Sequence, residues 1–251
     1  MNFKKIKSLA TIVGIGITLT ACSENTMKNK NATDSEKNNT EMSTNKKDSL
    51  PISNPNDWRI ILVNRDNILS KELSIQLTNI TENAHPDMKI NERILSDYQD
   101  MVAAAKADGI NLYLRSSHRT IKLQQTYYES TFKSYKSQGL SDKDAKAKTL
   151  EYVQLPGASE HHTGLALDII SVEWQNTVKD LNEHFDTTDA FKWLNEHATD
   201  YGFIIRYPKG KGNITGVKYE PWHYRYVGKD VAIYLKEQGL TLEEYCQKIK
   251  I

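Results

Sequence analysis

Ser159-Glu160-His161-His162-Thr163-Gly164-Leu165-Ala166-Leu167-Asp168 is the stretch on which the reading of this chain turns. Two imidazoles stand in a glycine-containing turn, and a carboxylate follows inside the apolar run Leu165 to Ile170, which reads as a strand. A carboxylate is costly to bury in such a strand unless it is paired or holds a cation, so Asp168 needs a partner. Glu220-Pro221-Trp222-His223 repeats the pattern at the head of a second apolar stretch, Trp222 to Val227. Two His and one Asp leave a fourth position open, as a catalytic zinc ion requires, and a neighbouring Glu would then be its base. On spacing alone, a satisfied core histidine and a strand-end aspartate are the more frequent account of the same residues.

Outward from these motifs the chain alternates helices and strands without the Gly-rich phosphate turns of a doubly wound sheet. Trp58 to Val63 reads as a buried strand that opens the domain. Asn91 heads a helix whose apolar positions Ile94, Leu95, Tyr98, Met101, Val102 and Ala105 recur at helical spacing until Gly109. Ile110, Leu112 and Leu114 alternate as a strand. After the turn Ser116-Ser117-His118-Arg119, a helix from Thr120 towards Gly139 places Arg119 at a strand-to-helix junction. Ser141 with Asp144 starts another helix, Phe191 to Tyr201 marks one that stops at Gly202, and Thr241-x-x-Glu244 boxes the last. Phe203 to Tyr207 is a further strand. The expectation is one compact α+β domain with a mixed, mainly antiparallel sheet and flanking helices.

Composition narrows the function. The 251 residues carry 33 Lys+Arg against 32 Asp+Glu, without a basic block in the body, which disfavours nucleic acid as a partner. The two cysteines, Cys22 and Cys246, cannot make a disulfide framework. Cys246 reads as a buried apolar residue of a late helix. At the other end, Lys4, Lys5 and Lys7 precede an apolar run too short for a comfortable bilayer span of ~20 residues. It closes in Leu19-Thr20-Ala21-Cys22, which resembles a bacterial lipobox. That likeness implies a signal peptide over 1–21 and a lipidated Cys22 that anchors the chain to the outer face of the cell membrane. From Ser23 to Leu50 the chain is polar with its charges cancelling, so 22–56 reads as a disordered tether and 57–251 as the domain.

The two motifs together, Ser-x-His-x-x-Gly-x-Ala-x-Asp and Glu-x-Trp-His, resemble the zinc D-alanyl-D-alanine carboxypeptidases of the VanY type and the related L,D-carboxypeptidases of the LdcB type. The likeness covers most of Trp58 to Gly239 and includes Leu155-Pro156-Gly157-Ala158. It implies one zinc ion on His161, Asp168 and His223, with Glu220 as base. It also implies that Arg119 handles the substrate carboxylate or the polarised carbonyl, although His118 replaces the usual Tyr of that turn. Gln124 and Ser159 fall at matching, substrate-side positions. The implied activity is removal of the terminal D-alanine from peptidoglycan stem peptides by a hedgehog/DD-peptidase-like domain acting as a monomer. An endopeptidase on the same polymer and a non-catalytic zinc-containing wall-binding module are the alternatives. His162 is expected beside the site or exposed, His184 and His197 on the surface, and the Gly210-Lys211-Gly212 loop as either a substrate rim or a plain hairpin.

Overall fold

A computed structural model describes residues 50–250; the expected signal peptide, Cys22 and the expected tether up to residue 49 lie outside the described residues. A hairpin comes first, β1 (Leu77–Ile80) antiparallel to β2 (Met88–Asn91). Asn91 then caps the 3-10 turn Glu92–Ile94, its side chain accepting from the Arg93 amide at 3.1 Å, and the turn runs into α1 (Leu95–Ala107). Tyr98, Met101 and Ala105, three and four residues apart, are the positions that α1 buries. There follow β3 (Leu112–Ser116), α2 (Ile121–Ser137), capped by Thr120, and α3 (Asp142–Thr149), capped by Ser141. The later elements are β4 (Ala166–Ser171), α4 (Val172–Thr177), α5 (Asp189–His197), β5 (Phe203–Ile205), the single turn α6 (Gly212–Thr215), β6 (His223–Tyr226), α7 (Lys229–Gln238) and α8 (Leu242–Ile249). Thr241 and Glu244 close a complete capping box on α8.

The fold is α+β, as expected. Its main sheet has the order β3-β4-β6-β5 with every neighbouring pair antiparallel. Leu167 stands opposite Tyr224 and Asp168 opposite His223. Successive side chains leave a strand on opposite faces, so Leu167, Ile169, Tyr224 and Tyr226 enter the main core with Tyr98, Met101 and Leu194. Asp168, His223 and Arg225 take the other face. A slip of one residue would expose that apolar set at ~1.5–3 kcal/mol for each large side chain, which fixes the register. A second core forms where Ile204 and Val227 meet Val231, Leu235, Leu242 and Tyr245 of α7 and α8.

Three expectations change. Trp58 to Val63 is buried in part but is not a strand: Asp57 caps a 3-10 turn over Trp58–Ile60, and the Arg225 guanidinium binds the Arg59 and Ile61 carbonyls at 3.0 and 2.8 Å. A buried cation there does what a neighbouring strand would have done, so the apolar composition reports burial and not pairing. Ile52, assigned to the tether, is buried against the second core, and its backbone N–H and carbonyl both bond the Tyr245 hydroxyl at 2.9 Å. The Gly210-Lys211-Gly212 segment is neither rim nor hairpin; it leads into α6, and Lys211 pairs with Glu244. The hairpin β1–β2 and the helix α7 were absent from the sequence reading.

Candidate active site

His161 sits on the 3-10 turn Glu160–Thr163, which ends at Gly164 in the left-handed region, φ +66°. A Cβ at Gly164 would lie 2.9 Å from the Asn91 amide, so only glycine allows the hairpin to approach this closely. The approach has a purpose: the Asn91 amide donates to the Gly164 carbonyl, the His118 amide to the Lys89 carbonyl, and the Lys89 amide to the Ser117 hydroxyl, at 2.9 to 3.1 Å. The hairpin thereby braces both loops that carry site residues. The same two loops are joined directly, because the Arg119 amide donates to the His161 carbonyl at 3.1 Å.

The His161 ring is oriented by its neighbour's backbone. Nδ1 lies 2.7 Å from the Ser117 carbonyl, which can only accept, so Nδ1 carries the proton and Nε2 turns its lone pair to Asp168 Oδ2 at 3.4 Å. Burial pushes the His161 pKa down to about 4 and keeps the ring neutral. On β6, His223 places Nδ1 3.2 Å from Asp168 Oδ1 and 3.4 Å from Glu220 Oε2. Burial pushes this imidazole's pKa down, but the Asp168 and Glu160 carboxylates outweigh it and bring the value to about 9. The two rings meet edge to face with centroids 4.9 Å apart.

These residues fit a metal ion by their own chemistry. One donor atom from each of His161, Asp168 and His223 lies within 4.8 Å of the others, and all three residues are buried. Asp168 Oδ1 has no hydrogen bond although His223 Nδ1 is 3.2 Å away, the relation of two donors aimed at one cation and not at each other. Two nitrogens and one carboxylate oxygen leave room for a fourth ligand.

Around this set lies a cavity of about 330 Å³ whose walls include Arg119, Gln124, Tyr127, Ser159, Tyr207 and Glu220. Burial pushes the Glu220 carboxyl up to about 8, with the Asp168 charge adding to the rise and His223 and Arg119 opposing it. Arg119 is held as a fork: Nη1 donates to Gln124 Oε1 at 2.7 Å, Nη2 to the Ser116 hydroxyl at 3.0 Å, and the guanidinium lies 4.9 Å from the Tyr127 ring centroid. Gln124 is itself fixed by the Gln154 carbonyl at 2.7 Å. Ser159 is buried in the wall, and its carbonyl accepts from the His162 amide at 3.2 Å.

All seven site residues expected within the domain are therefore gathered at one cavity; Cys22 lies outside the described residues. His162 is fully buried, and it clamps the loops, donating from Nδ1 to the Arg119 carbonyl at 2.6 Å and accepting from the Gly157 amide at 3.1 Å. The half-buried His118 is tied through its backbone to Lys89, while its neighbour Arg119 lines the cavity. His184 is exposed and His197 is half-buried. Two further neighbours complete the site: Tyr207, in the Arg206-Tyr207-Pro208 stretch that resembles family segments near the cleft, and Glu160, whose role escaped the sequence reading. Tyr207 packs beside His223 with ring centroids 4.8 Å apart, and Glu160 lies under the metal-ligand set. Glu160 adjoins His161 in the motif, but nothing local announces the distant arginines that surround it.

The chain is similar to known proteins. A family model described as VanY, D-alanyl-D-alanine carboxypeptidase, matches residues 87–229. A D-alanyl-D-alanine carboxypeptidase of Enterococcus faecalis is 38% identical over 189 residues, 75% of this chain and 66% of that protein. The putative carboxypeptidase YodJ of Bacillus subtilis is 45% identical over 150 residues, 60% of this chain and 50% of its own length. The chain thus spans about half to two thirds of these relatives. Among solved structures, VanYB in complex with D-alanine-D-alanine superposes with a TM-score of 0.67 at 38% identity, over 76% of this chain and 98% of that one. A vancomycin-resistance D,D-pentapeptidase VanY with Zn(II) gives 0.65 at 38% identity, over 75% and 99%. The LdcB LD-carboxypeptidase gives 0.59 at 34% identity, over 78% and 89%.

Proposed function

The chain belongs to the VanY family of D-alanyl-D-alanine carboxypeptidases, and from that premise we propose that it is a zinc-dependent carboxypeptidase removing the C-terminal D-alanine of peptidoglycan stem peptides. The observation that carries the reading is the meeting of three buried donors, His161, Asp168 and His223, beside the raised carboxyl of Glu220 in a cavity walled by Arg119. A zinc ion on the three donors would supply Lewis acidity to the attacking water and to the scissile carbonyl. Glu220, beside His223 in the cavity wall, is placed to take the proton of that water and return it to the leaving amine. Arg119 uses two donor nitrogens to fix its own plane, which leaves N–H groups to bind the substrate's terminal carboxylate.

The likeness to the LdcB LD-carboxypeptidase keeps L,D cleavage of a tetrapeptide as a second reading. Both are tested by incubating the full-length chain, purified in detergent, with muropeptide pentapeptide and tetrapeptide, with and without chelator, and weighing the products. Loss of one alanine from the pentapeptide alone makes it a D,D-enzyme, and loss from the tetrapeptide an L,D-enzyme. A cut inside the stem peptide, or no cut, overturns the carboxypeptidase reading.

We propose a location from the leader. Leu19-Thr20-Ala21-Cys22 supports a lipid-anchored, extracytoplasmic enzyme, which we take to be a monomer, while among the described residues no helix is long and apolar enough to cross a membrane. Detergent-phase partitioning of the wild type, lost in Cys22→Ala, is the expected result; a wild type that stays in the aqueous phase rejects the anchor. Gel filtration of the detergent-solubilised chain reports the monomer.

A further inference from the structure

The reaction leaves one buried ionic group unused. Glu160, Arg206 and Arg225 are each at most 1% exposed, and Glu243 completes the cluster. Glu160 Oε1 accepts from both guanidiniums, Arg206 Nε at 2.8 Å and Arg225 Nη1 at 2.7 Å. Its other oxygen, Oε2, is buried without a hydrogen-bond partner, and so is His223 Nε2, which lies 3.8 Å from it. Two orphaned buried atoms of complementary kind face each other, one able only to accept and the other a ring nitrogen that donates when protonated.

We infer that Glu160 is a positioning residue for His223: by accepting from Nε2–H it holds the imidazole in the tautomer whose Nδ1 lone pair faces Asp168 and the metal position. The inference rests on His223 being a metal ligand. His161 already shows the same device with its nitrogens exchanged, since there a backbone carbonyl takes Nδ1–H and leaves Nε2 for the metal. For His223 the acceptor is a carboxylate whose direction is set from far away. Arg206 is clamped by both oxygens of Glu243 on α8, at 2.8 and 2.6 Å. Arg225 is clamped by the Arg59 and Ile61 carbonyls near the start of the domain. With Oε1 pinned by two arginines, Oε2 is held 3.8 Å from His223 Nε2. Arg225 leaves β6 on the same face as His223, two residues on, so the strand that carries the ligand also carries a support of its orienting group.

Glu160→Gln separates this role from plain structure. Its amide oxygen must take the Oε1 place, because the NH₂ group would collide with two guanidinium donors. The NH₂ then faces His223 Nε2, which must offer a lone pair and move its proton to Nδ1, where the metal should be. The full-length protein is titrated with zinc against a competing chelator, alongside ¹⁵N spectra of the histidine rings, with His223 assigned by loss of its signal in His223→Ala. In the zinc-loaded wild type, His223 should show a protonated Nε2. In Glu160→Gln the zinc dissociation constant should rise about 10- to 100-fold, and in the metal-free state the ring proton should move to Nδ1. A Glu160→Gln protein that melts lower yet binds zinc within twofold of wild type overturns the inference. So does a wild-type His223 lacking the Nε2 proton, which is read even if the variant does not fold. If instead His223→Ala binds zinc as the wild type does, it is the ligand assignment that fails.

Discussion

Asp168 and His223 are cross-strand partners in the antiparallel pairing of β4 with β6, and their side chains meet on the same face with Oδ1 3.2 Å from Nδ1. Two of the three candidate ligands are therefore placed by sheet register, and the third, His161, by a loop. Asp168→Asn keeps the shape but replaces one anionic donor by an amide. Zinc affinity should fall by more than ~100-fold, beyond the range typical of residues that only orient a ligand. Chelator competition measures it, and an unchanged affinity would remove Asp168 from the ligand set.

Glu220→Gln should separate binding from chemistry. The amide fills the same volume beside His223 but cannot take a proton from water, so kcat should fall by about 10²- to 10⁴-fold. Zinc stoichiometry should stay at one per chain by metal analysis. Loss of the metal together with activity would mean that Glu220 is a ligand and not a base.

Arg119 is expected to resist conservative replacement. Its planar fork spans Gln124 and Ser116 while lying over Tyr127. A lysine carries the charge but not the fork. Arg119→Lys and Arg119→Ala should therefore both lower kcat/KM about 10- to 100-fold, with KM rising. Full activity in the lysine variant would show that charge alone suffices.

These residues were legible in the sequence because chemistry marks them: an aspartate inside Leu-Ala-Leu-Asp-Ile-Ile has few explanations. Capped helices were legible for the same reason, since Thr120, Ser141 and the Thr241–Glu244 box are local signals. What escaped depends on partners far along the chain. Leu77–Ile80 and Met88–Asn91 have four residues each and only partial alternation, so their pairing is decided by the turn they brace. Trp58 to Val63 mimicked a strand because burial selects the same residues whether the backbone is satisfied by a neighbour or by Arg225. Glu160 is buried only because Arg206 and Arg225 converge on it, 46 and 65 positions later.

Gly157 is where the loop before the first motif passes closest to another segment. Its φ is +84°, and a Cβ would collide with the Leu69 carbonyl oxygen, which is not free to move away because the Leu69 amide donates to the Gly157 carbonyl at 2.9 Å. Gly157→Ala should destabilise by at least ~1–2 kcal/mol from the left-handed backbone alone. In a domain of this size that lowers Tm by several degrees, at roughly 2–4 °C per kcal/mol. Because the Gly157 amide also donates to His162, activity at permissive temperature should drop as well. An unchanged melt would show that the Leu69 segment yields freely.

Cys246 offers a test of both ends of the chain. Burial pushes its thiol above the ordinary range, and its sulfur lies 3.5 Å from the Ile60 carbonyl. A raised folded-state pKa favours the neutral thiol in the native protein. That contribution to stability is therefore complete below the unfolded thiol's pKa, ~8.5, and is lost as pH rises through the higher folded value. At pH 8 the native protein should react with a thiol-specific chromogenic reagent far more slowly than the unfolded chain, the gap narrowing at higher pH. The total number of thiols that react in the unfolded chain then reports Cys22: one per chain when Cys22 carries lipid through its sulfur, two when it does not. Rapid native-state reaction that persists in Cys22→Ala would place Cys246 at the surface, against its position in the second core.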